Sequence, residues 1–311
     1  MPCFNRRQAF QEHSGAKLTW HYLDVSSNKE QAIKSFGVSI PCGSCIGCRV
    51  DYGEMWAFRM HCERQMHPLN CFITLTYDDK HLPEHSTLVK KDFQDFLKRL
   101  RFKFSSTRIS FYHCGEYGDQ YGRPHYHAIL FGFDFPDKQL YSSKKGNNFY
   151  TSDILSKIWG KGHCLIGDAT YETMAYTSRY VTKRVTGKAS SVHYANGFDP
   201  STGEIFYKLP EYSTMSLKPA IGLSWLHRYY TDVYPSDFLT INGRERRPPK
   251  YFDDQMQLIN PSLISTVKLN RIDNIDHENN TPERLLVREE IAKAKNKLFS
   301  RDIELSTHNL L

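Results

Sequence analysis

The 311-residue sequence lacks the features that mark several large classes of protein. It has no run of about 18 apolar residues, so we expect no membrane span. Its first segment, MPCFNRRQAFQEHSG, has no apolar core of the kind found in secretory signal peptides, and we expect a protein of a reducing cytoplasm. The eight cysteines are then more typical of thiols or metal ligands than of disulfides.

Several catalytic motifs are missing as well. The stretch VTGKAS at 185–190 lacks the hydroxyl residue and the upstream glycine of G-x-x-x-x-G-K-[ST], so no nucleotide-driven motor is expected. Neither G-x-S-x-G nor H-E-x-x-H occurs. Ile129 stands where a histidine-triad nucleotide hydrolase would need a third alternating histidine.

The residues that are present indicate a folded and moderately basic protein. Aromatic residues make up 14% of the chain, which is typical of a sequence that builds a core. The net charge of +7 and the pI of 8.8 favour polyanionic partners only weakly, because many basic proteins bind no nucleic acid.

Hydrophobic periodicity predicts a β-α-β-β-α order in the middle of the chain. In order, the elements are a strand at 71–77, a helix at 88–104, a strand pair in RISFYHCGEYG and HYHAILFGF, and a helix at 170–186 closed by Gly187. This order is most of a ferredoxin-like unit, an α+β fold with an antiparallel sheet and helices packed on one face.

We expect three segments along the chain. Residues 1–67 form a Cys-rich N-terminal segment that ends in a helix, residues 68–190 form the α+β domain, and residues 191–311 form an α-rich C-terminal extension. Within the extension, Pro282 at the first position predicts the start of a helix over 281–299.

His125 and His127 lie two residues apart on a predicted strand. They therefore face the same side of the sheet, where two imidazoles can converge on one ion. Glu116, on the preceding strand, lies across a short connection from them. Such a set with open positions suits Mg²⁺ or Mn²⁺ acting on a phosphate, although imidazole also binds other divalent metals. The plainer interpretation is a partly exposed polar strand face.

Tyr176, Tyr180 and Lys183 fall at i, i+4 and i+7 of the later predicted helix and share one of its faces. A separate apolar arc can pack on the core, so the tyrosines are not needed to bury this helix. A nearby cation and a metal-bound phosphate would assist a phenol, which is a poor nucleophile at neutral pH. Ordinary packing of paired tyrosines is the alternative.

Cys42, Cys45 and Cys48 follow a C-x₂-C-x₂-C pattern. This spacing lets several thiolates meet one ion, and Cys3 or Cys62 can complete a tetrahedral Zn²⁺ site with a structural purpose. An iron–sulfur cluster or reduced thiols are the alternatives.

Basic residues near the predicted helices are candidates for contacts with DNA phosphates, although a solvated helix face explains any one of them. They are Arg99, Arg101, Arg179 and Arg184.

Three motifs in order resemble a known superfamily. FITLTY, then GEYG followed by GRPHYHAILFG, then Y-x-x-x-Y-x-x-K are similar to the motifs of the HUH endonucleases that start rolling-circle replication. The surrounding words PCGSCIGCR, LTYDDKHLP, KDFQDFLKRLR and RPHYHAILFG resemble the replication initiators of gokushovirus-type microviruses, which are small single-stranded DNA phages. The resemblance covers about residues 40–185.

The resemblance assigns roles to the residues of the three motifs. It makes His125, His127 and Glu116 metal ligands, Tyr176 and Tyr180 the nucleophiles, and Lys183 the assisting cation. It implies nicking of a single-stranded or supercoiled origin through a 5′-phosphotyrosyl intermediate, a free 3′-OH primer, and later religation of single-stranded circles.

The resemblance also implies a setting and leaves alternatives. It implies a host bacterial cytoplasm, with a host helicase and DNA polymerase as partners. Residues 191–311 carry no motif of the family, and we expect this extension to bind DNA or a host factor. A relaxase or transposase with the same chemistry, or a zinc-stapled DNA-binding protein without catalysis, are the alternatives.

Overall fold

The structure is a computed structural model of the chain. It describes residues 3–11, 17–20, 36–118, 121–144, 146–185, 189–198 and 202–307. These residues form two compact units, one within the bounds 1–51 and 276–311 and the other within the bounds 52–275. Gly187, expected to close a helix, lies outside the described residues.

The helices and strands of the described residues are numbered in chain order. The helices are α1 (Ile46–Gln65), α2 (Lys90–Lys103), α3 (Asp153–Trp159), α4 (Tyr171–Arg179), α5 (Ala189–Tyr194), α6 (Leu223–Tyr229), α7 (Lys250–Ile259), α8 (Pro261–Asp273) and α9 (Pro282–Thr307). The strands are β1 (Arg7–Gln11), β2 (Phe36–Ile40), β3 (Asn70–Thr76), β4 (Ser110–Tyr117), β5 (Pro124–Phe131), β6 (Gln139–Lys144), β7 (Asn147–Thr151), β8 (Cys164–Asp168), β9 (Ala195–Phe198), β10 (Ile205–Tyr207), β11 (Tyr212–Met215), β12 (Leu239–Ile241) and β13 (Arg244–Arg246).

The second unit is built on a seven-stranded antiparallel sheet, counted over the described residues, with the order β11-β4-β5-β3-β8-β7-β6. Within it, β3, α2, β4, β5, α3 and β8 follow the βαββαβ order of a ferredoxin-like unit. β5 lies between β3 and β4, so both neighbours present side chains to the residues of β5. The α+β class and the antiparallel sheet expected from the sequence are confirmed.

One face of this sheet packs against α2 and α3. Phe93, Phe96 and Leu100 of α2 join alternate residues of β3 and β5 in one buried cluster, together with Trp159 at the end of α3. The helical spacing of the α2 aromatic residues explains this packing, because they form one apolar stripe. The second helix of the ferredoxin-like unit is thus α3, which the periodicity of the sequence did not reveal.

Helices also cover the opposite face, where packing on a single face was expected. Trp56 and Met60 of α1 and Met174 of α4 pack there against Ile129 and other residues of the sheet. The helix expected at 170–186 therefore lies across the sheet from α2, because its apolar residues meet the face that carries Phe72 and Ile129. This places α4 on the same side as the two histidines.

The segment expected as a C-terminal extension contributes to the main sheet. Its strand β11 pairs with β4, with Ser213 opposite Cys114, so the sheet extends past the boundary expected at residue 190. Farther on, α6, α7 and α8 pack with Phe58 of α1 in a third cluster that contains Trp225 and Phe252. A separate role for residues 191–311 stays a prediction.

In the first unit, β1 and β2 form an antiparallel pair in which Ala9 lies opposite Val38. Helix α9 begins at Pro282, as the sequence predicted. Among the described helices, none combines the length and the apolar character that a bilayer crossing requires.

Candidate active site

His125 and His127 lie on β5 and face the side of the sheet that α4 covers. Both are buried, with relative exposures of 9% and 5%. Each imidazole has a hydrogen-bonded threonine on β3: Thr76 Oγ1 is 2.9 Å from His125 Nδ1, and Thr74 Oγ1 is 3.0 Å from His127 Nδ1. The register explains the pairing, because each threonine lies directly opposite its histidine.

The electrostatic environment keeps both imidazoles neutral. Burial, together with the nearby Lys183 ammonium, lowers the pKa of His127 to about 3. Burial lowers the pKa of His125 to about 4, against the opposing effect of the Glu116 carboxylate. Neutral imidazole is the form that ligates metal ions, so no proton has to be removed from an imidazolium at neutral pH.

Glu116 lies on β4 directly opposite His125 in the strand register. Its carboxylate reaches diagonally, with Oε1 3.3 Å from His127 Nε2 and Oε2 3.5 Å from Lys183 Nζ. The side chain is 5% exposed, so the carboxylate is buried beside an imidazole and an ammonium. The strand pairing thus brings Glu116 to the histidines as expected from the loop, while its role stays a prediction.

The two tyrosines meet over His127. The ring of Tyr180 stacks on the imidazole at a centroid distance of 4.9 Å and an interplanar angle of 6°, and the ring of Tyr176 contacts it edge-on at 5.4 Å. The hydroxyl of Tyr180 donates a hydrogen bond to that of Tyr176. Both phenols therefore lie on the histidine face of the sheet.

Local structure explains how α4 presents these residues. Thr170 caps its first turn in a capping box with Thr173, and Met174 anchors it on the sheet. After Arg179 the chain tightens into a 3₁₀ turn over Tyr180–Lys183. Side chains three residues apart eclipse in such a turn, so Lys183 Nζ lies 4.9 Å above the ring of Tyr180.

The residues on this face offer ligands for a divalent cation. They supply two neutral imidazoles and one carboxylate, and Gly118 leaves room at His125, since a Cβ there would lie 2.6 Å from Nε2. The ligand atoms of His125, His127 and Glu116 do not all lie close to one another. Among the described residues, only the cysteine set has all its ligand atoms within 4.8 Å of one another. A cation that keeps several waters suits this wider spacing.

The four arginines expected to contact DNA are not brought together. Arg99 and Arg101 lie on α2, across the sheet from the histidines, and donate hydrogen bonds to backbone carbonyls of Ile158, Trp159 and Ile109. Arg179 is half-buried at the end of α4, where burial lowers its pKa despite the charge of Glu54. Arg184 is exposed and directly follows Lys183.

Thr74 and Thr76 are the site residues that the sequence reasoning missed. The signal was present in FITLTY, because alternate residues of a strand share one face and both hydroxyls fall on the same one. That this face is the histidine face depends on β3 pairing with β5, which connects residues about fifty positions apart.

A second candidate metal centre lies in the first unit. Cys3, Cys42, Cys45 and Cys48 bring their four sulfur atoms within 4.8 Å of one another. Cys42 Sγ lies 4.0 Å from Cys48 Sγ, and Cys45 Sγ lies 3.9 Å from Cys3 Sγ. The fourth member is thus Cys3, whereas Cys62 is buried among the apolar residues of the second unit.

The environment of this cluster favours a thiolate at one position. Although burial raises the pKa of Cys42, hydrogen bonds from the backbone and side chains of Ser44 and Cys45 bring it to about 6. Burial raises the pKa of Cys48, and the neighbouring sulfurs add to that effect. Four sulfurs at such distances form a set that can hold a structural metal, and tetrahedral Zn²⁺ is compatible with it.

Comparisons with known proteins bear on this arrangement. A family model described as replication-associated protein ORF2/G2P matches residues 70–185. The replication-associated protein VP4 of Bdellovibrio phage phiMH2K is 30% identical over 239 residues, which cover 74% of this chain and 71% of that protein. The replication-associated protein ORF2 of Spiroplasma virus 4 is 31% identical over 277 residues, which cover 83% of this chain and 81% of that protein. The chain belongs to this family of phage replication-associated proteins.

A further family member, the replication-associated protein ORF4 of Chlamydia phage 1, is 28% identical over 233 residues, which cover 72% of this chain and 55% of that protein. No solved structure matches the chain. The expectation of a gokushovirus-type initiator, made from the sequence motifs, is confirmed. All six residues of the histidine and tyrosine site fall inside the segment that the family model matches, whereas the four cysteines precede it.

Proposed function

We propose that this replication-associated protein nicks and religates origin DNA by tyrosine transesterification. The observation that carries the proposal is the stacking of Tyr180 on His127, with Tyr176 hydrogen-bonded to Tyr180 and Glu116 beside the same imidazole. Two phenols, two neutral imidazoles, a carboxylate and an ammonium meet on one sheet face. That combination fits attack of a phenol on a phosphodiester.

The chemical step follows from these side chains. One phenol loses its proton and its oxygen attacks phosphorus, forming a P–O bond to tyrosine while the bond to the 3′ oxygen breaks and that oxygen takes up a proton. The products are a 3′-OH end and a 5′-phosphotyrosyl protein. Lys183, beside the Tyr180 ring, stabilises the phenolate and the negative charge that develops on the phosphoryl group.

A divalent cation, Mg²⁺ or Mn²⁺, would be held by His125, His127 and Glu116 and would supply Lewis-acid polarisation of a non-bridging phosphate oxygen. The imidazoles would bind the cation without first losing a proton, because burial keeps them neutral at physiological pH. Glu116 adds the negative charge that a hard cation prefers.

Two neighbouring tyrosines allow cutting and joining to alternate. One tyrosine holds the 5′ end while the other cuts the regenerated origin, and attack by the free 3′-OH on the phosphotyrosine then closes a circle. Since the phosphotyrosyl bond conserves the energy of the broken phosphodiester, religation needs no nucleotide. The absence of a P-loop motif from the sequence fits this scheme.

The substrate is a single-stranded or extruded origin, because a phosphodiester in a regular duplex cannot reach side chains as buried as His127 and Tyr180. A free 3′-OH would prime a host polymerase, and a host helicase would unwind the duplex, which places the reaction in the host bacterial cytoplasm. In this scheme Zn²⁺ at the cysteine cluster has a structural role.

The direct test is the covalent adduct on an origin oligonucleotide in Mn²⁺. Tyr176→Phe/Tyr180→Phe should form none, while Tyr141→Phe, which alters an exposed tyrosine of β6, should react like the wild type. Mass spectrometry of the DNA-linked peptide identifies the attacking residue. An adduct formed by the double variant would show that the nucleophile lies elsewhere.

A further inference from the structure

Among the residues that the structure describes, three threonine–histidine pairs bridge neighbouring strands of the main sheet. Thr74 pairs with His127 and Thr76 with His125 on the face that carries the tyrosines. The third pair, Thr214 of β11 with His113 of β4, has the same geometry, with Oγ1 2.9 Å from Nδ1. It lies on the other face, where His113 stacks on Phe93 of α2 at 3.5 Å.

In the first two pairs, the threonine occupies the Nδ1 side of the ring, so Nε2 is the nitrogen that remains for a ligand. At His127, Nε2 is the atom that approaches Glu116 Oε1. At His125, Nε2 is the atom beside the small Gly118. In each ring, the threonine at Nδ1 leaves Nε2 as the nitrogen that faces the site.

A neutral imidazole carries one proton, and its position decides whether Nε2 can bind a cation. Without a cation, the 3.3 Å approach to the Glu116 carboxylate fits a proton on His127 Nε2, with the Thr74 hydroxyl donating to Nδ1. With a cation, the proton must be on Nδ1, where it is donated to the threonine oxygen. A hydroxyl can serve in both arrangements because it both donates and accepts.

We propose that Thr74 and Thr76 are positioning residues: when a divalent cation binds, their hydroxyls accept the Nδ1–H of His127 and His125 and so direct both Nε2 lone pairs toward it. This inference rests on the proposed function, since it assigns the supports of the same site. It also gives a role to the hydroxyl groups of the two threonines in FITLTY, which burial of the strand does not explain.

The threonine backbones are unaffected by a side-chain change. The carbonyl of Thr76 accepts a hydrogen bond from Trp159 Nε1, and its N–H donates to His163 O. Valine has nearly the shape of threonine and suits a strand, so Thr74→Val and Thr76→Val remove the hydroxyl while these contacts persist.

The experiment measures binding of Mn²⁺ to the full-length protein by electron paramagnetic resonance, in the absence of DNA. Thr74→Val and Thr76→Val should each weaken binding about 10- to 100-fold, as expected for the loss of a hydrogen bond to a ligating histidine. Thr74→Ser and Thr76→Ser keep the hydroxyl and should restore binding to within about threefold. Thr214→Val is the matched control, because it removes the same hydroxyl from the pair on the other face, and it should bind Mn²⁺ like the wild type.

Nitrogen-15 NMR of the histidines adds a signature that a purely structural role would not produce. With Mg²⁺, the wild type should show Nδ1–H at both His125 and His127, and each valine variant should lose that tautomer at its own partner only. Circular dichroism confirms that each variant is folded.

The outcomes separate the two proposals. A wild type that binds no Mn²⁺ would overturn the metal-dependent function and this inference with it. Wild-type binding matched by both valine variants would overturn the inference alone. Equal weakening by Thr214→Val, or no rescue by serine, would also overturn it, because the effect would then be general to the sheet.

Discussion

The cysteine cluster and the histidine–tyrosine site are two candidate metal centres of different construction. The four sulfurs lie within 4.8 Å of one another, and three of their residues come from a seven-residue stretch. The histidine–tyrosine site takes its residues from two strands, a helix and the turn that follows it, and its ligand atoms are more widely spaced. A closed set of four thiolates suits a structural ion, whereas an open set of imidazoles and a carboxylate leaves positions for water and substrate.

The largest expected effect concerns the imidazoles. His125→Ala/His127→Ala should reduce cleavage of an origin oligonucleotide by at least about 10³-fold, because charge on the phosphoryl group then lacks its main stabilisation. Affinity for the same oligonucleotide, measured by fluorescence anisotropy, should remain within a few-fold. Cleavage at the wild-type rate in excess EDTA would remove the metal from the mechanism.

Substitution of the cysteines should change the stability and the metal content of the protein rather than the rate of the chemical step. Cys42→Ser/Cys48→Ser should lose the stoichiometric metal, because only two of the four sulfurs remain. Elemental analysis measures this loss, and limited proteolysis should show faster cutting within residues 1–51. A wild-type protein that is purified folded and free of metal would contradict the structural role, and His125→Ala is the control that should keep this metal.

Replacement of Lys183 should have an intermediate effect on the rate of adduct formation. Lys183→Met removes the ammonium beside Tyr180 and Glu116 but keeps most of the side-chain length, and adduct formation should slow by about 10²-fold. Single-turnover kinetics at saturating Mn²⁺ isolates this step. Lys144→Met, on β6, is a suitable control, and an undiminished rate in Lys183→Met would leave the lysine without a chemical role.

The histidines also predict how stability depends on pH. Because burial lowers the pKa of His125 to about 4 and of His127 to about 3, the unfolded chain binds protons near pH 6.5 that the folded chain does not bind. The free energy of unfolding should therefore fall as pH drops from about 7 toward 4, and His125→Gln should flatten that dependence. Urea denaturation at a series of pH values measures it, and a wild-type slope unchanged in the variant would contradict the assignment.

The smallest effects concern the arginines. Arg184→Gln should weaken DNA binding a few-fold and reduce its salt dependence by about one unit of slope, because one phosphate contact is lost. Arg99→Gln should leave affinity unchanged but lower the free energy of unfolding by about 1 kcal/mol, since it leaves the Ile158 carbonyl without that donor. If Arg99→Gln weakened DNA binding more than Arg184→Gln does, the DNA would contact the α2 face of the sheet instead.

Much of this architecture could be predicted from the sequence because its signals are local. The aromatic spacing of α2, the alternating strands β4 and β5, and Pro282 at the start of α9 each depend on a few neighbouring residues. Helix α3 was missed, since seven residues are too few to show a clear period. The expected placement of α4 on the same face as α2 was wrong, because periodicity identifies an apolar stripe without identifying the surface that it meets.

The sequence by itself determined that two histidines share a strand face, that two tyrosines and a lysine follow at helical spacing, and that three cysteines are close enough to meet one ion. Only the tertiary structure decided that Cys3 is the fourth sulfur, that α4 brings its tyrosines onto the histidine face, and that Thr74 and Thr76 support the imidazoles. The physical reason is the same in each case. Alternation and helical period act over a few residues, whereas strand pairing and helix packing join positions about forty to fifty residues apart.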